Sequence, residues 1–449
     1  MKNYLNAYLD DHKEEMLQVL SDFVAIPSVS SDMEKVKEAL EFSLNLGEKM
    51  GFRTENCLDG QVGVIEMGDG EEVLGILSHV DVVPAGDRED WDSDPYQTVI
   101  KDGRIYGRGT VDDKGMIVAS LYAMKAAAEY AAEHNMPTHK KVQLILGTQE
   151  EVEWTDMNAY VEHYPLPDYG FSPDGEYPIC NVEKGTADFT LTFDVAEEAE
   201  DADAVYVTAV DCGVAKNSVP GKAIATLSNG ETITAMGKAV HSCQPERGVN
   251  ALFVLCDMLK EKGVAKNKLM ALIEVVTEAF TDVYGRGIDM YDESEYYQGE
   301  FVHRNAFSPT LFHAKDGKAE VNINNRFAYG TKEQDLYDGM TKFAEAHGGS
   351  VTEWTAMPAV FVSAESPFLK ILAEAYENVS GLKNEFTLAY GGSYAKAMPN
   401  VVSWGPLFPG EEDTCHEVNE YIDIKSMMDS AKIFAQSVAG IVLTEESLK

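Results

Sequence analysis

No apolar run in this 449-residue chain approaches the roughly 20 residues that a membrane-spanning helix needs, so no membrane role is expected. Cysteine is sparse: six residues, none in a C-x-x-C pair. That count fits neither a disulfide scaffold nor a thiolate zinc site, and points to reduced, mostly buried thiols in a cytoplasmic protein. Basic charge is short too, with 36 Lys and Arg against 76 Asp and Glu, a formal net charge of −40. Such a field repels nucleic acid and anionic membranes, so neither is expected as a partner, and it favours cations near the surface. The opening stretch MKNYLNAYLDDHKEEMLQVLSDFVAI has amphipathic spacing rather than a solid apolar block followed by small residues, so it does not read as a secretory signal. Internal repeats and low-complexity segments are also lacking.

The length suggests two folding units. In the first third, helical and strand patterns alternate, the mark of a layered α/β domain. Leu5, Leu9, Met16, Leu17, Leu20, Phe23 and Val24 recur at helical spacing, and a second helix is predicted from Met33 to Met50, before Gly51. VLGILSH, Val73 to His79, reads as a buried strand, and VQLIL, Val142 to Leu146, as another, after an Ala-rich helix over about 114–132. Beyond Gly185 the segments ADFTLTFDVA, DAVYVTAVDCG, AIATLSNG and ETITAMG alternate as strands. Helical stretches near 249–259 and 268–283 and a strand over 319–329 complete an α+β insert, and a last helix is predicted near 425–443. The expected architecture is a discontinuous α/β catalytic domain, 1–184 with 356–449, interrupted by an α+β lid domain, 185–355.

Each core strand ends in chemically capable residues, where open α/β sheets place ligands. GILSHVDVVPAGD puts His79 and Asp81 two positions apart, on one face of a strand, so Asp81 is placed to orient a metal-bound imidazole. A structural histidine is the competing reading. In GRIYGRGTVDDKG, Gly107 and Gly109 permit a tight loop before Asp112 and Asp113. A helix cap accounts for one aspartate, not for the pair, and a carboxylate there has two oxygens with which to bridge two cations. In LILGTQEEVEW a strand is followed by Glu150 and Glu151, whose side chains point different ways, so that one can bind a metal while the other faces a water; an exposed acidic turn is the competing reading. Asp174 in FSPDGEYP and His416 in EDTCHEVNEY complete a mixed nitrogen and oxygen donor set suited to zinc, with manganese or cobalt possible. Cys415 reads as a buried, inert thiol beside His416.

In order, SHVDVVPAGD, GRGTVDDKG, GTQEE, SPDGEYP and CHEVNEY resemble the co-catalytic zinc metallopeptidases that include carboxypeptidase G, aminoacylase and peptidase V. The resemblance spans nearly the whole chain. GTQEEVEWTDMNAYVEHYPLPDYGFSPDGEYP, the large lid and YGGSYAKAMPN are most similar to the peptidase V type of bacterial dipeptidase.

The resemblance implies two zinc ions per chain, one on His79 and Asp174, the other on Glu151 and His416, with Asp112 shared. Asp81 orients His79, and Glu150 is the general base that takes a proton from water and returns it to the leaving amine. The Asp112–Asp113 peptide bond is implied to be cis. In the lid motifs VAKNSVPG, GKAVHSCQPERGVNA and INNRF, His241 corresponds to an oxyanion-stabilising histidine, and Asn217 and Arg326 to residues that grip the substrate near its C-terminal carboxylate. Gly391 and Gly392, assigned to the catalytic domain, correspond to a loop whose backbone amides assist. Structural readings stand beside these: His241 as a turn cap, Arg326 as a partner for lid acids, the glycines as a tight turn. The substrate is expected to be a small peptide, the chain a monomer, and activity to need a hinge near residues 184 and 356. Two rival functions remain, an N-acyl-amino-acid or succinyl-diamino-acid amidohydrolase with the same metals and base, and a non-catalytic metal-binding protein of the same fold.

Overall fold

The computed structural model describes residues 1–196 and 204–449. They form two compact units: Met1–Val182 with Val360–Thr387 and Gly392–Lys449, and Glu183–Ala359 with Leu388–Gly391. The chain therefore also visits the second unit at Leu388–Gly391, a segment the sequence reading left in the first, together with Gly391. Backbone contacts draw it there, since the carbonyl of Ala389 accepts from the Lys184 N–H at 3.1 Å and that of Tyr390 from the Arg326 guanidinium at 3.2 Å.

In the first unit a mixed sheet runs through the strands Arg53–Cys57, Val62–Gly68, Lys141–Gly147, Val73–His79, Tyr169–Ser172, Val401–Ser403, Cys180–Glu183 and Val360–Phe361, in that spatial order. The three strands Lys141–Gly147, Val73–His79 and Tyr169–Ser172 are parallel neighbours. Strands covered on both faces lose the alternation of half-exposed ones, and Val73–His79 is correspondingly buried along nearly its whole length. Flanking helices include Lys2–Asp11, Lys13–Val24, Met33–Lys49, Lys114–Glu133 and Ile424–Val442. Asp32 caps the third of these by accepting from the Lys35 N–H. The helix Lys114–Glu133 buries most of its circumference, which its alanines permit by letting neighbours pack close. Its Lys114 is buried as well, its ammonium donating to the carbonyls of Phe23 and Ile26 at 3.2 and 2.7 Å and so closing off the end of the helix Lys13–Val24.

The second unit is a seven-stranded antiparallel sheet in the order Thr232–Met236, Lys222–Leu227, Val207–Cys212, Ala306–Lys315, Lys318–Phe327, Gly185–Asp194 and Gly349–Met357. The helices Ala251–Lys262, Lys268–Phe280 and Glu333–Ala346 pack against it around a core of their own. The expected strand DAVYVTAVDCG begins at residue 203, outside the described residues; its remainder forms Val207–Cys212. An α/β unit with a mixed sheet and an inserted α+β unit is the fold class read from the sequence. Among the described residues, no helix is long and apolar enough to cross a membrane.

Ile76 lies fully buried in the central strand, so Ile76→Ala is expected to cost about 2–5 kcal/mol of stability. Val214, 98% exposed, is a contrast at which Val214→Ser should shift stability by less than about 0.5 kcal/mol. Denaturant unfolding followed by circular dichroism compares the two, and equal losses would contradict this placement of the core.

Candidate active site

His79 ends the central strand and is fully buried. Its Nδ1 lies 3.0 Å from the backbone carbonyl of Asp81 and 3.4 Å from that residue's carboxylate, so the ring is oriented from behind mainly by the Asp81 main chain. The Asp81 carboxylate also meets other donors. It accepts from the Ser30 hydroxyl at 2.7 Å and from the backbone N–H groups of Glu150 and Glu151 at 3.2 and 3.3 Å, which ties the histidine strand to the diglutamate turn.

Asp112 follows a glycine loop in which Gly109 takes a φ of +88°, a conformation that favours glycine. The Asp112–Asp113 peptide is cis. Asp113 occupies the N-cap position of the helix Lys114–Glu133 without a side-chain cap bond, and its carboxylate accepts from the Ser78 hydroxyl. Asp112 faces the two imidazoles: Oδ1 is 2.9 Å from Nε2 of His79 and Oδ2 is 3.0 Å from Nε2 of His416. Asp174 Oδ2 lies 3.8 Å from the same His79 nitrogen, and Glu151 Oε2 lies 2.9 Å from the His416 nitrogen. Two triads result, His79 with Asp112 and Asp174, and Asp112 with Glu151 and His416, each with its donor atoms within 4.8 Å of one another.

These residues suit a pair of divalent cations. A tetrahedral ion with bonds of about 2.0 Å separates its donors by about 3.3 Å, and the spacings of 2.9 to 3.8 Å straddle that value. Oε1 of Glu151 is buried with no hydrogen-bond partner, a costly state for a polar atom unless something else occupies its lone pairs. Electrostatics points the same way. Burial and then the charge of Asp112 push the Asp174 carboxyl up to about 7. Burial and then the charge of Asp174 raise Glu150 well above the usual carboxylate range, and burial with the charge of Asp112 raises Glu151. Burial opposes ionisation of Asp112 as well, but hydrogen bonds from His416 and His79 outweigh it and hold that carboxyl low. His416, paired with Asp112 and Glu151, is pushed up to about 11. Acids crowded in this way are relieved either by protons or by cations, which is the exchange that metal binding performs.

Glu150 and Gly392 line a cavity of about 210 Å³ with Asp112, Glu151, Asp174 and His416. Larger cavities of about 650 and 560 Å³ belong to the second unit and contain none of the metal-donor triads found among the described residues. Donor chemistry rather than size therefore marks the site. Cys415 also lines the small cavity, and burial, followed by the charge of Asp112, raises its thiol far above the ordinary range, so it stays protonated and outside both triads.

In the second unit, Asn217 and His241 are neighbours across an isolated bridge between Ser218 and His241, and the Asn217 carbonyl accepts from the Ser242 N–H at 2.9 Å. Both side chains are exposed. Nδ1 of His241 accepts from the Cys243 N–H at 3.1 Å, which leaves Nε2 of this turn histidine for another partner. Arg326 is buried in the strand Lys318–Phe327 and bonds the Tyr390 carbonyl, and the charge of the lid acid Asp188 also acts on its guanidinium. Gly391 has open space around its Cα, whereas Gly392 lies against the Lys396 stem.

The sequence reading missed several residues that hold the site together. Buried Asp156 accepts from the N–H groups of Thr148 and Gln149 at 2.6 and 3.1 Å and from the Tyr394 hydroxyl at 2.7 Å. Tyr394, inside the YGGSYAKAMPN segment, stands edge-on to the His79 ring. Buried Glu420 accepts from Arg108 and from three backbone N–H groups of the Asp112 loop. Position in WTDMNAY and HEVNEY carried no local signal for Asp156 or Glu420, because acids abound in this chain.

A model of the family described as Peptidase family M20/M25/M40 matches residues 75–439. A Bacillus subtilis (strain 168) protein named "Putative dipeptidase YtjP" is 33% identical over 95% of this chain and 97% of its own. Among solved structures, the di-peptidase Dug1p of Saccharomyces cerevisiae superposes with a TM-score of 0.65 at 15% identity, covering 99% of both chains. The YXEP protein of Bacillus subtilis, described as a dinuclear metal binding peptidase, gives 0.56 at 11% identity over 96% of this chain and 99% of its own. With that family match spanning the donor set from His79 to His416, and a 33% identical relative along nearly its full length, this chain belongs to peptidase family M20/M25/M40.

Proposed function

We propose that this protein is a dizinc dipeptidase that hydrolyses the peptide bond of dipeptides with free termini. The observation that carries the reading is the Asp112 carboxylate, which sets one oxygen against each of two imidazoles, each imidazole having a further carboxylate of its own. His79 and Asp174 would hold one zinc ion, Glu151 and His416 the other, and Asp112 both. Manganese or cobalt meets the same donor preferences. The ions, when bound, supply Lewis-acid polarisation of the scissile carbonyl and make water more acidic. The names of the Bacillus subtilis and yeast relatives support a dipeptidase, and the dinuclear YXEP protein supports two metals.

Glu150 is the group left for proton transfer. It lines the cavity beside the donors but belongs to neither triad. In this reading its carboxylate accepts a proton from the attacking water and delivers it to the departing amine, while its N–H, held by Asp81, fixes where the side chain starts. From the second unit, His241 stabilises the oxyanion through Nε2, and Asn217 and Arg326 bind the substrate carboxylate. The fork of a guanidinium suits that task. Amides of Gly391 and Gly392 add donors. The six cysteines, none of them disulfide-bonded, accord with a reducing cytoplasmic setting, and we take the chain to act as a monomer.

Glu150→Ala is expected to lower kcat by about 10²–10⁴ while leaving bound zinc unchanged, measured by steady-state hydrolysis of Ala-Leu and by metal analysis. Retention of wild-type kcat would remove Glu150 as the base. Arg326→Ala should lower kcat/KM for a free dipeptide by about 10- to 100-fold, in line with the loss of a charge-assisted bond. The same variant should discriminate less between Ala-Leu and its C-terminal amide, and unchanged discrimination would place the carboxylate site elsewhere. A panel of free dipeptides, tripeptides and N-acetylated amino acids, assayed with zinc and after chelation, decides the substrate class. Free dipeptides should be the best substrates and chelation should abolish turnover. Faster hydrolysis of the N-acetylated compounds would favour an N-acyl-amino-acid amidohydrolase, and no hydrolysis of any compound would favour a metal-binding protein without turnover.

A further inference from the structure

We infer that the buried ion pair Arg108–Glu420 is a positioning device for the metal centre, which sets the loop bearing Asp112 against the loop bearing His416. The inference rests on the reading of Asp112 and His416 as metal ligands.

A small three-stranded sheet pairs Tyr421–Asp423 with Arg104–Tyr106, which in turn pairs with Val99–Lys101. Tyr421 faces Tyr106 at its end, and there the two chains diverge. Gly107 begins the loop that leads to Asp112, and Glu420 closes the loop that follows His416. The Gly107 N–H still donates to the Glu420 carbonyl at 2.9 Å, but beyond that point no strand pairing holds the loops together.

The ion pair takes over at this fork. Oε1 of Glu420 accepts from the N–H groups of Gly109, Val111 and Asp112 at 3.0, 3.0 and 3.3 Å. Oε2 accepts from Gly109 N–H at 2.9 Å and from Arg108 Nη1 at 2.7 Å. The other arm of the guanidinium, Nη2, reaches the backbone carbonyl of His416 at 3.4 Å. His416 itself has a φ of +65°, an unfavourable backbone conformation for a non-glycine residue that needs an external hold. Both side chains of the pair are almost wholly removed from solvent, and the Arg108 guanidinium also lies 5.4 Å from the Trp91 ring. A buried pair is weak evidence for stability alone, since an apolar pair of equal volume often serves as well. What an apolar pair lacks is acceptors for the N–H groups of the Asp112 loop and a donor for the His416 carbonyl. That is why the pair reads as orienting ligands rather than merely filling space. Groups that orient metal ligands typically govern metal affinity by about 10- to 100-fold.

Two variants separate this role from bulk stability. Glu420→Gln keeps the volume but turns an amide NH₂ towards either Arg108 or the loop N–H groups. Arg108→Lys keeps the charge beside Glu420 but loses the second arm to His416. Zinc content and zinc affinity, the latter by competition with a chromophoric chelator, are measured beside circular dichroism and thermal unfolding of the metal-free proteins. Asp112→Asn is the control. The expected result is folded metal-free variants whose zinc affinity falls by about 10- to 100-fold, with kcat recovering at raised zinc and KM unchanged. If Asp112→Asn weakens zinc binding while both variants bind it as tightly as the wild type, the positioning role is wrong and the ligand reading stands. If Asp112→Asn also binds zinc like the wild type, the ligand reading itself fails. Loss of fold in both metal-free variants would likewise overturn the inference, because the pair would then support the unit as a whole.

Discussion

The carboxyl groups of Asp112, Glu150, Glu151 and Asp174 share the walls of one small cavity with Glu176, Asp413 and the His416 imidazole, and His79 stands behind two of the first four. Held without compensation at such distances they would repel one another strongly, and burial makes the repulsion worse. The main chain that carries these acids is held by a second set of acids, whose carboxylates accept from backbone N–H groups. Asp156 collects those of Thr148 and Gln149, Asp81 those of Glu150 and Glu151, and Glu420 those of Gly109, Val111 and Asp112. Each of these acids fixes a stretch of main chain, and each stretch presents an acid of the cavity.

The sheet gathers the ends of the ligand-bearing strands. Because Lys141–Gly147, Val73–His79 and Tyr169–Ser172 are parallel neighbours, their C-terminal ends reach the same edge, and His79 sits directly opposite Gly147. Glu150 and Glu151 follow that glycine within four residues, and Asp174 follows Ser172 within two. No long loop has to carry a ligand to the site from this side. His416 has no such strand beneath it, and its place depends on the fork at Tyr421 and on contacts from the Asp112 side. The second unit solves a different problem. Its sheet and helices bury a core of their own and present His241 and Asn217 on the surface, with Arg326 buried in a strand and bonded to the Tyr390 carbonyl.

The sequence by itself determined the elements and the donor list. Strand Val73–His79 and helix Met33–Lys49 could be read from apolar spacing and from Gly51 at the helix end, because such signals are local. His79, Asp112, Glu151, Asp174 and His416 were legible only jointly, each an ordinary residue in an acidic chain but together an ordered set of motifs. Tertiary structure alone decided which acids face the cavity and which turn to the backbone. Asp81 was expected to orient His79, directly or through its neighbours; its carbonyl lies 3.0 Å and its carboxylate 3.4 Å from the ring, and the carboxylate also holds the diglutamate turn. Asp156, Glu420 and the excursion at Leu388–Gly391 left no trace in the pattern. The physical reason is common to all of them. An acid's task depends on whether it is buried and on which N–H groups it meets, and those are set by contacts between segments as far apart as Arg108 and Glu420.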